Sequence, residues 1–231
     1  MLKNRSVSVS FMLMGILFCS CLIISNLLSV KLLRITDSLS ISAAIIIFPV
    51  TYILNDCIAE VWGYRKARLI IWMGFLMNFF CAAVGMIAVA LPAADFWKAN
   101  EAHFDFMFTL APRVATASLA AFLVGSFLNA YVMSRMKLSS EGRHFSVRAV
   151  VSTLWGESAD SCIFFPFAFW GLMPPDELLK LMVMQVLLKT AYEIIMLPVT
   201  YRIVIAVKRF EGTDVFDKDL KSYSPFHLAD L

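Results

Sequence analysis

Long apolar blocks are what most limit the possible folds of this sequence. Six of them run over residues 11–33, 41–62, 67–91, 108–134, 147–170 and 178–207. A helix that crosses a bilayer needs about 20 predominantly apolar residues, and every block is long enough. Runs such as Ile45-Ile46-Ile47-Phe48 and Ile163-Phe164-Phe165 do not alternate polar with apolar, as a barrel strand would. Hydrocarbon offers no water to backbone groups, so each span must close its own hydrogen bonds as a helix. The expected fold is an all-α integral membrane protein. Six transmembrane helices form one bundle over residues 1–210, and a polar, loosely ordered cytoplasmic tail follows over 211–231.

Composition agrees. Of 231 residues, 60% are hydrophobic and 16% charged, with a mean hydropathy of +0.78. Soluble domains average about 45–50% apolar and about 25% charged. A soluble globule of this size has too little interior to hide so much apolar side chain. That excludes a soluble enzyme, a nucleic-acid-binding module and a disordered chain.

The basic residues cluster on alternate connections. Lys3 and Arg5 precede span 1, Arg65, Lys66 and Arg68 join spans 2 and 3, and Arg135, Lys137, Arg143 and Arg148 join spans 4 and 5. Lys208 and Arg209 follow span 6. The positive-inside rule then places both termini in the cytoplasm. Lys31, Arg34 and Arg148 sit at span ends, where long side chains can snorkel to the headgroups. The connection 92–107, with Phe96, Trp97, Phe104 and Phe106 among charges, suits a stretch lying along the interface. Span 1 exceeds the apolar core of a signal peptide and is expected to be retained. Pro49, Pro166 and Pro198 interrupt spans and are expected to kink them. All five cysteines fall inside spans and are expected to be free thiols.

Ionisable groups in hydrocarbon cost about 2.5–3.5 kcal/mol each near the centre of a span. Several central ones here call for a reason. Span 2 carries Asn55, Asp56 and Glu60, with the two acids four residues apart on one face. Glu60 lies near the cytoplasmic end, where Arg65 or Arg68 could pair with it. Span 5 carries Trp155, Glu157 and Asp160, the two acids again sharing a face. Span 6 carries Gln185, Lys189, Tyr192 and Glu193 on one stripe. Span 1 adds Asn26. In span 4, Ala117, Ala121 and Gly125 recur every four residues, a stripe that lets helices approach closely. Arg113 and Asn129 continue that face. The stripe could pack within one bundle or across a homodimer.

These residues define a polar chamber near the midplane, where secondary transporters bind substrate. Acids outnumber bases in it: Asp56, Glu157, Asp160 and Glu193 against Lys189 and Arg113. It suits a neutral or cationic ligand that donates hydrogen bonds, with Tyr52 and Trp155 as stacking faces. No metal set, nucleophile motif or ATP-binding loop is evident, so no cofactor, metal or catalytic residue is expected.

The ordered motifs Ser25-Asn26-Leu27-Leu28-Ser29-Val30-Lys31, Phe48-Pro49-Val50-Thr51-Tyr52-Ile53-Leu54-Asn55-Asp56 and Glu60-Val61-Trp62-Gly63-Tyr64 are followed by Arg113-Val114-Ala115-Thr116-Ala117-Ser118. Gly156-Glu157-Ser158-Ala159-Asp160-Ser161 and Lys189-Thr190-Ala191-Tyr192-Glu193 complete the series. Over about residues 20–207 the chain resembles the queuosine-precursor transporter family, also described as a vitamin-uptake transporter family. That resemblance implies a bacterial inner-membrane importer of 7-deazaguanines, such as the nitrile and aminomethyl precursors of queuosine, or queuine and queuosine themselves. The partners implied are that small molecule and the lipid bilayer, and no nucleic acid. A deazaguanine edge presents an N–H and an amino group side by side, which one carboxylate, Glu157 or Asp160, can accept together. Asn26, Asn55, Lys189 or Arg113 could serve its carbonyl, and Asp56 an aminomethyl cation. The alternatives are a substrate-binding subunit of an energy-coupling-factor-type transporter and, further off, an intramembrane enzyme using Glu157 and Asp160 as acid and base.

Overall fold

A computed structural model describes residues 8–29, 31–36, 39–109, 112–171 and 174–216. Lys3, Arg5, Asp37 and the tail from 217 lie outside the described residues, as do the side chains of Arg34 and Arg113. The described residues fold into seven α-helices: α1 (Val9–Ser29), α2 (Phe48–Trp62), α3 (Tyr64–Val89), α4 (Lys98–Thr109), α5 (Pro112–Ser139), α6 (Phe145–Phe169) and α7 (Pro175–Glu211). Among the described residues, four helical segments are long and apolar enough to cross a membrane: Val9–Leu28, Tyr64–Val89, Leu119–Ser139 and Leu178–Glu211. Their outward faces carry large apolar side chains such as Phe79, Phe80, Leu187 and Ile195, as lipid-facing surface requires.

Of the other two expected spans, 147–170 is helical as α6, whereas 41–62 is not one continuous helix. Residues 32–33 and 41–46, expected as helix, instead contribute to a hairpin, β1 (Leu32–Thr36) against β2 (Leu39–Ser42), and a 3-10 turn, Ala43–Ile46. The strands pair antiparallel with Leu33 opposite Ile41 and Arg34 opposite Ser40. The local reason is the alternation Leu39-Ser40-Ile41-Ser42, a period-two pattern where the second apolar block begins. Pro49 then sits in the first turn of α2, where its missing N–H costs nothing, so it starts that helix rather than kinking it. Pro166 and Pro198 do lie inside α6 and α7. At 15 residues, α2 is only about 22 Å long, short of a hydrocarbon core of about 30 Å.

That short helix is the centre of the molecule. Every residue of α2 except Val50 is buried. It packs against α1, α3, α5, α6 and α7. A helix bearing Asn55, Asp56 and Glu60 cannot face lipid, and the fold encloses it on all sides. Gly63 alone turns the chain from α2 into α3, at φ 82° and ψ 171°, a region open in practice only to glycine. Helices α5 and α6 form the most extensive helix pair. The small-residue stripe explains it: Ala117 and Ala121 are fully buried, and a Cβ on Gly125 would come within 2.9 Å of the Gly156 carbonyl. The stretch expected along the interface forms α4, whose Phe104 and Phe108 stack at 4.9 Å. All five cysteines are free.

Candidate functional site

Four helices bring the central polar residues together. From α6, Glu157 and Asp160 project from one face, one turn apart. From α7, Lys189 reaches between them, its ammonium 2.6 Å from Glu157 Oε2 and 3.2 Å from Asp160 Oδ2. All three are buried, Glu157 completely. The same ammonium lies 3.9 Å from the centre of the Phe48 ring, at the start of α2, a favourable place for a desolvated cation. Phe48 in turn stacks on Tyr52 at 5.5 Å and on Phe122 at 5.9 Å, which builds an aromatic wall beside the ion pairs.

Tyr52 sits at the α5–α6 crossing. Glycines at 125 and 156 make room for it: a Cβ at Gly125 would stand 2.6 Å from the Tyr52 hydroxyl and 3.1 Å from Asp160 Cβ. The hydroxyl is therefore held close to Asp160, and it has no hydrogen-bond partner. One turn along α2, Asp56 accepts a 2.7 Å hydrogen bond from Asn129 Nδ2 on α5 through Oδ1, while its Oδ2 has none. Asn55 donates to the Ser126 carbonyl at 3.2 Å. Glu193, one turn from Lys189 on α7, is buried with neither carboxyl oxygen hydrogen-bonded.

The structure thus gathers Tyr52, Asn55, Asp56, Glu157, Asp160, Lys189 and Glu193 into the buried region around α2. Asn26 lies on α1, half-buried, next to the buried Ser25. Arg113 opens α5, with its side chain outside the described residues. Trp155 points away from the cluster and is 58% exposed on the outer surface of α6. Asn129, Gly125 and Gly156 enter the site through roles that sequence reasoning did not assign. The one hint was Asn129, four residues from Gly125 on the same stripe. Among the described residues no group of three His, Cys, Asp or Glu side chains is placed to hold a metal ion.

The chemistry of the cluster is lopsided. The cluster holds four carboxyls and one ammonium, which touches two of them, and Asp56 Oδ2, Glu157 Oε1 and both Glu193 oxygens are left as acceptors when ionised. Buried polar atoms are normally paired. Such a site answers a ligand rich in N–H donors. The large groove elsewhere, about 840 Å³ between α1, α3 and α4, is lined almost wholly by apolar side chains such as Met73, Met77 and Phe80, and none of the expected site residues borders it.

The family profile described as Putative vitamin uptake transporter matches residues 42–203, which span α2 through most of α7. The chain belongs to this family. Among its curated relatives, a probable queuosine precursor transporter of Bacillus subtilis (strain 168) is 28% identical over 159 residues, covering 68% of each chain. A probable queuosine precursor transporter of Haemophilus influenzae is 28% identical over 164 residues, covering 64% of this chain and 66% of the relative. The queuosine precursor transporter of Escherichia coli (strain K12) is 29% identical over 123 residues, covering 53% and 52%. The match therefore spans about two thirds of the first two relatives and about half of the third. No solved structure matches the chain significantly. Family membership and the apolar helices together make this a membrane protein of a transporter family.

Proposed function

We propose that this chain imports queuosine precursors, 7-deazaguanines, across the bacterial inner membrane by alternating access. The observation that carries the reading is the buried, acceptor-rich cluster around α2, held together by Lys189 between Glu157 and Asp160. The names of the curated relatives supply the substrate class. Glu157 or Asp160 accepts the paired N–H and amino group of the base edge. Asn26, Asn55, Lys189 or Arg113 donates to its carbonyl. Asp56 and Glu193 take the cation of an aminomethyl precursor. Phe48 and Tyr52 supply the stacking face in place of the outward Trp155.

In this reading α1, α2 with its preceding turn, α3, α5, α6 and α7 make six crossings, and α4 lies along the interface. An even number returns the chain to its starting side. The exposed cations Arg65, Lys66, Arg135, Arg143 and Arg209 all mark the end where α2 meets α3, α5 meets α6 and α7 ends, and that end is cytoplasmic.

The test uses bacteria lacking both precursor synthesis and native precursor uptake. These cells express the chain and receive each deazaguanine in turn at nanomolar concentration, and queuosine in their tRNA is measured. Restored queuosine is the expected result. No restoration with any precursor, despite confirmed membrane expression, overturns the reading of a self-sufficient importer. Binding to the purified chain without uptake would then point to a subunit that needs an ATPase complex.

A further inference from the structure

Two of the cations that the sequence places at the basic end of the bundle do not spread into the headgroups. Lys137 and Arg148 turn inward and are 2% and 1% exposed. Arg148 grips both carboxyl oxygens of Glu60, at 3.0 Å to Oε1 and closer still to Oε2. Lys208 of α7 reaches Glu60 Oε1 at 2.6 Å. Glu60 therefore pairs with cations of α6 and α7, and Lys137 of α5 stands 3.9 Å away, where the sequence suggests Arg65 or Arg68.

The segment after α7 completes this layer. Gly212 ends α7 in the left-handed conformation, at φ 60°, and turns the chain back under the bundle. Asp214 then accepts from Lys137 at 2.6 Å and lies 3.0 Å from Lys208. The Val215 carbonyl accepts from Lys137 at 2.7 Å, and the Val215 N–H donates to the Val61 carbonyl at 3.2 Å. The Phe216 ring lies 4.7 Å from the Lys137 ammonium and packs on Gly142, whose φ of +79° and lack of a Cβ leave room for it.

These contacts meet a specific need. The last carbonyls of a helix have no partner within it. At the end of α2 the Ala59 carbonyl is taken by Gly63, the Glu60 carbonyl by Lys137 and the Val61 carbonyl by Val215. An ammonium has three N–H donors, and Lys137 has three acceptors: one on α2 and two on the segment 212–216. The segment is thus joined to the end of the helix that carries Asp56 one turn further in.

We propose that residues 212–216 are a strap that latches the cytoplasmic end of α2, and that its release opens the water route to the buried cluster. The proposal rests on the transporter reading for its purpose, but not for its test. The strap is the weak layer of the latch. Asp214 is 44% exposed on its side chain, whereas Glu60 and Arg148 are each 1% exposed, so water and salt reach the strap's ion pairs first. Without Asp214, three cations (Lys137, Arg148 and Lys208) would share Glu60 alone, and their mutual repulsion would favour opening.

Cys57 is a built-in reporter, because it is 1% exposed and lies between Asp56 and the latched end of α2. The other four cysteines are replaced by serine in the full-length chain. Inside-out vesicles are then treated with a small charged methanethiosulfonate reagent, without substrate. Asp214→Asn should raise the labelling rate of Cys57 roughly fivefold, the scale of two half-exposed ion pairs. Phe216→Ala, which leaves every charge in place, should raise it by a smaller factor, and Asp214→Glu should restore the parent rate. Equal rates in the parent, Asp214→Asn and Phe216→Ala would overturn the strap. If only one of the two opening variants reaches the membrane folded, its rate decides in the same way. A chain that fails to restore queuosine but labels faster in Asp214→Asn refutes the substrate reading and leaves the latch standing.

Discussion

Lys189 answers two carboxyls, and its partners are therefore not equivalent under mutation. In Asp160→Asn the 2.6 Å contact to Glu157 survives, so the ammonium keeps a buried counter-charge. The amide puts a donor where a ligand's N–H groups need an acceptor. Asp160→Asn is expected to reach the membrane at normal levels and to lose at least about tenfold in uptake, the cost of one mispaired polar contact of about 1.4 kcal/mol or more. Normal uptake by a well-expressed Asp160→Asn chain would remove Asp160 from the site. Lys189→Met is a different experiment. It leaves Glu157 and Asp160 facing each other in low dielectric, and removing one partner of a buried pair costs about 3–5 kcal/mol. Thermal unfolding in detergent should fall far more for Lys189→Met than for Asp160→Asn. Adding Asp160→Asn to Lys189→Met should recover part of the loss, because it removes one of the two unpaired acids.

At the scale of elements, the α5–α6 crossing is held by two glycines, each facing the other's carbonyl. A Cβ at Gly156 would meet the Gly125 carbonyl at 2.9 Å and the Tyr52 ring at 2.9 Å. Backbone cannot swing aside as a side chain can, so alanine at either position must push the helices apart. Gly125→Ala and Gly156→Ala should each destabilise the fold by about 1–3 kcal/mol, read as a lowered melting temperature in detergent, and should displace the Tyr52 hydroxyl from Asp160. A melt unchanged from the parent would show that the crossing is looser than its geometry. The sequence announced this contact, since Ala117, Ala121 and Gly125 share a face and small residues in lipid mean close approach. It also announced the apolar helices and the inward acids, because hydrocarbon leaves little choice about either. Other features were illegible for physical reasons. Arg148 and Lys137 stand at helix ends, where a snorkelling cation and one turned inward have the same sequence signature. The strands 32–36 and 39–42 lie at the edges of two apolar blocks and across the polar connection between them, and runs this short distinguish helix from strand poorly. Asn129 meets Asp56 across 73 positions of sequence, a pairing that no local pattern records.

For the whole molecule, α2 is the element that links site to latch. Asp56 lies on it one turn from Glu60, and all its neighbours must agree on where it sits. A movement that frees its end exposes the site, and one that seats its end closes it, so the groups that hold the end set the conformational balance. The tail expected to be loose is, over residues 212–216, one of those groups. Its charge gives a pH signature. Burial alone would raise the Asp214 carboxyl, but hydrogen bonds and charge from Lys137 and Lys208 outweigh burial and hold its pKa below the usual carboxylate value. A carboxyl whose pKa is depressed in the folded state contributes stability that is fully present above its ordinary pKa of about 3.9 and is lost as pH falls through the depressed value. Lys137 on α5 and Lys208 on α7 are the cations facing it. The Cys57 labelling rate of Asp214→Asn, divided by that of the parent at the same pH, cancels the ionisation of the thiol itself. This ratio should stay level from about pH 5 to 8 and approach one only below about pH 4, as the parent's strap loses its own charge. A ratio that already falls between pH 5 and 8 would assign the latch to a group other than Asp214.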